Sequence, residues 1–136
     1  MITDMSPSLE DALEGVLIVQ QKNDVVRVKD LAQLLKVKAS SVIESLAKLK
    51  KSGFIEHEPY GLVKLTPKGL SSAKRLYERH VVLKTFFHQV LGVQEPVAEE
   101  DACKIEHHLS EKTTQRLFEF IKNIDASVNR KDKKVR

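Results

Sequence analysis

The sequence predicts a mainly α-helical fold with a winged helix-turn-helix at its N-terminal end and further helices after it. Apolar residues recur at helical spacing through most of the chain. Two short helices with a tight turn are followed by a glycine-centred hairpin, the element order of a winged helix-turn-helix. The chain has 136 residues, 41% hydrophobic and 31% charged, enough for one compact domain or two small ones sharing a core. No apolar run approaches bilayer-spanning length and the N-terminus has no signal-peptide pattern, so the expected location is the cytoplasm, with no membrane partner. A single cysteine excludes an intrachain disulfide, and a reducing compartment keeps its thiol available as a ligand. The net charge of +4 permits nucleic-acid binding without demanding it, so the location of the basic residues matters more than their total.

Taken in order, Asp4, Ser6 and Pro7 open a helix over about 8–22, with Leu9, Ala12, Leu13, Val16, Leu17 and Val19 or Gln20 on one apolar face. Asn23-Asp24 breaks it. A short amphipathic helix covers 28–35, Val37-Lys38-Ala39 turns the chain, and Ser40 or Ser41 starts a helix to about Lys51. Val42, Ile43, Leu46 and Leu49 are its apolar positions, and Gly53 stands where a helix C-cap glycine belongs. Residues 54–58 and 62–65 read as two short strands around a turn at Tyr60-Gly61. Thr66-Pro67-Lys68-Gly69 starts a long helix to about Leu91, with Thr66 as N-cap and Pro67 at the first helical position. Leu70, Ala73, Leu76, Tyr77, His80, Leu83 and Phe87 share its apolar side, and Gly92 ends it. Glu95-Pro96 marks a break before a helix over about 97–108. Ser110 caps a last helix carrying Leu117, Phe118, Ile121 and Ile124, and residues 129–136 form a basic, mobile tail.

In a helix-turn-helix the second helix enters the major groove with its N-terminal and outward residues. Here the candidates are Lys38, Ser40, Ser41, Glu44, Ser45 and Lys48, with Lys64 in the wing. Small hydroxyl residues allow close approach and can donate to phosphates, while the lysines favour the DNA backbone.

Candidate metal ligands lie on or beside three apolar stripes. Asp11 and Glu14 are on the first helix and His80 on the long one; Cys103, Glu106 and His107 sit three and four residues apart on the next. Taken singly, Asp11 and Glu14 read as helix-dipole charge and His80 as a core histidine. Six residues of ligand type on faces that must pack are harder to dismiss, because buried unpaired acids are costly.

The segments Ser8-Leu9-Glu10-Asp11-Ala12-Leu13-Glu14, Ser40-Ser41-Val42, residues 62–69, Arg79-His80 and Ile105-Glu106-His107-His108-Leu109-Ser110 resemble the diphtheria-toxin-repressor family of metal-dependent transcriptional repressors. The resemblance covers nearly the whole chain in the correct order. It implies a winged helix joined to an α-helical dimerisation domain, with a metal site between them. The expected domains are 1–70 for DNA binding, 71–128 for metal binding and dimerisation, and 129–136 as the tail. It further implies a homodimer that binds palindromic, double-stranded operator DNA when iron or manganese is plentiful. The implied ligands are Asp11, Glu14, His80, Cys103, Glu106 and His107. Asp11 and Glu14 are similar to the manganese branch, whereas Cys103 is similar to the iron branch, whose ancillary second site has an acid where this chain has Lys84. Glu99 is a candidate for such an ancillary site. The chain is expected to be a short form, without the C-terminal barrel domain of the longer members.

Carboxylates suit Mn(II), and thiolate favours Fe(II), Co(II), Ni(II) or Zn(II). The mixed set is most consistent with Fe(II), then Mn(II), with Zn(II), Co(II) or Ni(II) as ions taken in vitro. Three other readings are compatible with the residues. One is a metal-independent winged-helix regulator with a buried polar network, and another is a structural zinc site. The third is a metal-dependent hydrolase or oxidative enzyme, which lacks the support of a Ser/His/Asp set or a phosphate-binding glycine loop, and no enzyme activity is expected.

Overall fold

Ser6 begins the first helix by accepting a hydrogen bond from the Leu9 backbone N–H at 3.3 Å, and Pro7 occupies the first helical turn, where its missing N–H costs nothing. The structure is a computed structural model that describes residues 5–59 and 61–135, with side chains described to residue 124. Asp4 and Tyr60, expected at a helix start and a turn, lie outside the described residues. By its internal packing the chain divides after Tyr77 into two compact units.

In the first unit, α1 (Pro7–Asn23) ends at Asp24, whose φ of 61° turns the chain out of the helix. Helix α2 (Val28–Leu35) starts where the Asp30 carboxylate accepts from the Arg27 N–H at 3.2 Å, and stops at Lys36 in the left-handed conformation. Helix α3 (Ala39–Lys51) follows after one short turn. Leu13, Val16 and Leu17 from α1, Leu31 from α2, and Val42, Leu46 and Leu49 from α3 form one buried cluster. Truncating any of these leucines to alanine would cost about 2–5 kcal/mol. Ile43, expected on the apolar face of α3, is instead 53% exposed. It points about a quarter turn away from the centre of the face that Val42, Leu46 and Leu49 bury.

Strands β1 (Ile55–His57) and β2 (Val63–Leu65) pair antiparallel in the register Ile55 to Leu65, Glu56 to Lys64 and His57 to Val63. Ile55 and Val63 point into the core, which fixes that register, because a one-residue slip would expose both. Val26 adds an isolated bridge to Val63, so the wing is anchored to the segment between α1 and α2.

The Thr66-Pro67-Lys68-Gly69 segment is explained residue by residue. Thr66 Oγ1 donates to the Gly53 carbonyl at 2.6 Å and accepts from the Gly69 N–H at 3.0 Å, capping α4 (Pro67–Thr85). The Lys68 ammonium bonds the Ser52 carbonyl at 2.9 Å and lies 4.4 Å from the centre of the Phe54 ring. A Cβ at position 69 would fall 1.8 Å from the Phe54 carbonyl oxygen, so only glycine fits.

In the second unit, α4 runs into a π-helical segment, Phe86–Val90, which carries the helix nearly to its expected end. Gly92, at φ 74°, turns the chain, and His88 Nδ1 lies 2.8 Å from the Val93 carbonyl oxygen across that turn. Helix α5 is Glu95–Ile105. It begins earlier than the expected 97 because Pro96 is tolerated in a first turn and does not break it. A single 3₁₀ turn, Glu106–His108, follows, so Cys103 and the Glu106-His107 pair do not share one α-helical face. Ser110 then accepts from the Thr113 N–H at 3.2 Å and starts α6 (Glu111–Val135). The tail expected at 129–136 falls on the last turns of α6 and beyond, where side chains lie outside the described residues. Among the described residues, Val82, Leu83, Ala98 and Ala102 are the buried apolar residues of this unit, and Phe86 packs edge-on against Phe87 and Phe120. Among the described residues no helix is long and apolar enough to cross a membrane.

Candidate metal centre

His80 sits one turn before the end of α4, held with its ring buried, and both of its nitrogens meet acidic partners. Nδ1 is 3.0 Å from Glu106 Oε2, and Nε2 is 2.9 Å from Glu99 Oε1. Cys103 Sγ lies 3.8 Å from Nδ1. Glu99 and Cys103 are one turn apart on α5, which is why both face the same imidazole. Glu106 comes from the 3₁₀ turn and is 1% exposed. Arg79 fixes that turn by donating from Nη1 to the Glu106 carbonyl at 3.1 Å. His107 Nε2 is 3.6 Å from the other oxygen of Glu106.

An imidazole that offers N–H to a carboxylate on each side is an imidazolium. The Cys103 sulfur and then the Glu106 carboxylate raise the His80 pKa from 6.5 to about 11, against burial, with Glu99 adding to the rise. For Glu99, burial pushes the carboxyl up, but the bond and charge of His80, with Lys84 behind them, hold it below its ordinary value. Lys84 in turn is raised above 10.5 by Glu95 and then Glu99.

The donor set fits a divalent ion. Ligand atoms of His80, Glu99 and Cys103 all lie within 4.8 Å of one another, close enough to share one ion without a change of fold. One thiol sulfur, imidazole nitrogens and carboxylate oxygens make a borderline set, suited to Fe(II), Co(II) or Zn(II) and acceptable to Mn(II). The two carboxylates at 3.0 and 2.9 Å from the ring nitrogens of His80 give this pocket the negative charge that a cation needs.

Of the residues singled out in the sequence, the second unit brings His80, Cys103, Glu106 and His107 together. Glu99, expected only at an ancillary site, stands in direct contact with His80. Its signal was its spacing, four before Cys103 and seven before Glu106, obscured by the many acids of α5. Arg79 and Lys84 were not expected to organise the cluster. Asp11 and Glu14 stand three residues apart on α1 in the first unit.

The candidate DNA surface belongs wholly to the first unit. Lys38 precedes α3, and Ser40, Ser41, Glu44 and Lys48 are exposed along it, opposite the buried Val42, Leu46 and Leu49. Ser45 is half-buried at the edge of that face. Lys48 is 3.8 Å from Glu44, and Lys64 is exposed in the wing across from Glu56. Lys50 ties α3 to the wing through the His57 carbonyl at 2.7 Å.

Comparison with known proteins identifies the family of the chain. Residues 4–63 match the family described as iron dependent repressor, N-terminal DNA binding domain, and residues 66–133 match iron dependent repressor, metal binding and dimerisation domain. An uncharacterised HTH-type transcriptional regulator of Methanocaldococcus jannaschii is 38% identical over 91% of this chain and 100% of its own length. The HTH-type transcriptional regulator MntR of Lysinibacillus sphaericus is 37% identical over 85% of this chain and 83% of its own. Among solved structures, a manganese-dependent transcriptional repressor in complex with manganese superposes with a TM-score of 0.74 at 32% identity, covering 80% of this chain. The chain spans about half the length of such solved structures, 50% in that case. With both of its domains matched in order, the chain belongs to the iron-dependent repressor family of metal-dependent transcriptional regulators.

Proposed function

We propose that the protein is a metal-dependent repressor that binds palindromic operator DNA as a homodimer when Fe(II) or Mn(II) is bound, and so controls genes of metal homeostasis. The observation that carries this reading is the buried His80 clamped by Glu106, Glu99 and Cys103, in the half of the chain matched to the metal-binding domain. The proposed ligands are Asp11, Glu14, His80, Cys103, Glu106 and His107, with Glu99 as an additional one. When bound, the ion supplies positive charge and directional bonds that gather carboxylates, imidazoles and a thiolate about one point.

The chain's own residues do the rest. To ligate an ion through one ring nitrogen, His80 would release the proton on that nitrogen to solvent. Arg79 keeps the 3₁₀ turn in place, and Glu106 presents its carboxylate. Because the proposed ligands are drawn from both family domains, ligation constrains the chain that carries α3. Ser40, Ser41, Glu44, Ser45 and Lys48 then meet base edges and phosphates of one half-site, with Lys38 and Lys64 on the backbone. The half-sites of a dimer lie about one helical turn apart. We assign the protein no catalytic role and no membrane partner, and we place it in the cytoplasm with its DNA.

A second reading is favoured by one feature. The His80 network is complete as an imidazolium among its acidic partners, as a metal-independent regulator would have it. The two readings separate in a binding assay. Metal-stripped protein is titrated anaerobically on a palindromic promoter fragment with Fe(II), Mn(II), Zn(II) and Co(II), at fixed salt. Strong activation by one or two ions, lost in Glu106→Ala, supports the repressor. Equal binding with chelator and with every ion refutes it.

A further inference from the structure

Lys84, in the last turn of α4, lies between two acids of α5. Its Nζ is 3.1 Å from Glu95 Oε1 and 3.2 Å from Glu99 Oε2. The other oxygen of Glu99 is the one that meets His80 Nε2, at 2.9 Å. Glu99 is therefore a bridging carboxylate, with one oxygen on the His80 imidazole and one on the Lys84 ammonium. A carboxylate bridging two neighbouring cations is also the arrangement of two-metal sites.

Stability does not account for this triangle. The side chains of Lys84, Glu95 and Glu99 are 32%, 64% and 46% exposed, and ion pairs this open contribute little to folding. Its effect falls on the ligands. The ammonium neutralises two carboxylates that, with the imidazole of His80, would offer a divalent ion oxygen and nitrogen donors. It also places a fixed positive charge beside the cluster of His80, Glu99 and Cys103.

We propose that the Lys84 ammonium is a built-in cation that takes the place of a second divalent ion beside His80 and Glu99, and thereby limits the metal load of the chain. The proposal rests on the metal-dependent reading of the same cluster. Removing a unit charge from next to a divalent ion strengthens binding on the order of tenfold even where water screens the pair. Replacing it with a carboxylate adds a ligand as well as removing the repulsion.

The test is equilibrium dialysis of metal-free protein against Mn(II) without DNA, with bound metal measured by elemental analysis. Lys84→Glu should take up one more equivalent than the wild type, and Glu95→Gln in that background should abolish the gain. Lys84→Gln should bind on the order of tenfold more tightly than the wild type, whereas Lys84→Arg should load as the wild type does. Circular dichroism checks that each variant keeps its helices. Equal loading and affinity in wild type, Lys84→Glu and Lys84→Gln would overturn the proposal and leave the repressor reading intact. Uptake by Lys84→Glu with none by the wild type would overturn the metal-dependent reading, and with it the claim that Lys84 replaces a second ion rather than the first. No uptake by any variant would overturn both.

Discussion

Replacing Glu106 by alanine should destabilise the metal-free protein, and the loss should fade as the pH rises. Glu106 is 1% exposed, and its Oε2 lies 3.0 Å from His80 Nδ1. Raising an imidazole from 6.5 to about 11 corresponds to about 6 kcal/mol of preference for the charged form, at 1.36 kcal/mol for each tenfold change. Cys103, Glu106 and Glu99 share that preference, which leaves about 2–3 kcal/mol for Glu106, at the lower end of the roughly 3–5 kcal/mol that breaking a buried pair costs. The folded-state pKa is the higher one, so the contribution is complete below the unfolded value near 6.5. It declines as the pH rises and is gone above about 11. Thermal melts in chelator at pH 6 should place Glu106→Ala roughly 10 °C below the wild type, and the gap should narrow steadily at pH 8 and pH 10. A gap that is absent at pH 6, or that widens with pH, would refute the assignment of His80 as an imidazolium held by Glu106.

Gly69→Ala should unfold or strongly destabilise the first unit, by about 3 kcal/mol or more, because the new Cβ meets the Phe54 carbonyl rather than a movable side chain. Urea titration of the variant checks this. Lys48→Ala and Lys64→Ala should each weaken DNA binding across all sequences and reduce the salt dependence of binding by about one phosphate contact, read from affinities at several salt concentrations. Metal affinity should climb between pH 6 and pH 8, by about tenfold per pH step for each proton released on ligation, from His80 and from the Cys103 thiol. Calorimetry in buffers of different ionisation enthalpy counts the released protons, with Cys103→Ser separating the thiol's share, and a count of zero in that variant would contradict the imidazolium.

Much of this fold was legible because helical periodicity, caps and turn residues agreed. Ser6, Thr66 and Ser110 all cap the helices expected of them, and Gly92 ends the long one. What escaped the sequence depends on local winding and on contacts between elements. The π segment at Phe86–Val90 and the 3₁₀ turn at Glu106–His108 share the polar and apolar spacing of an α-helix to within a residue. Pro96 read as a break because its tolerance in a first turn depends on where the helix begins. Ile43 read as core because it sits beside Val42, although only every third or fourth position of α3 reaches the interior. Within the candidate site, Cys103, Glu106 and His107 stood out by residue type. Glu99 and Glu95 did not, since α5 is rich in acids and only its packing against the end of α4 selects the two that meet His80 and Lys84.

The central claim is that metal and operator DNA favour the same state of the protein, and linkage tests it most directly. Mn(II) affinity should be measured by titration of the wild-type dimer alone and again with a saturating palindromic operator fragment, at one pH and salt concentration. The account predicts tighter metal binding on the operator, by the same factor by which Mn(II) strengthens operator binding, and no such gain in Glu106→Ala. Identical Mn(II) affinities with and without the operator would contradict it, and would leave a DNA-binding protein whose buried histidine cluster serves only to hold the fold.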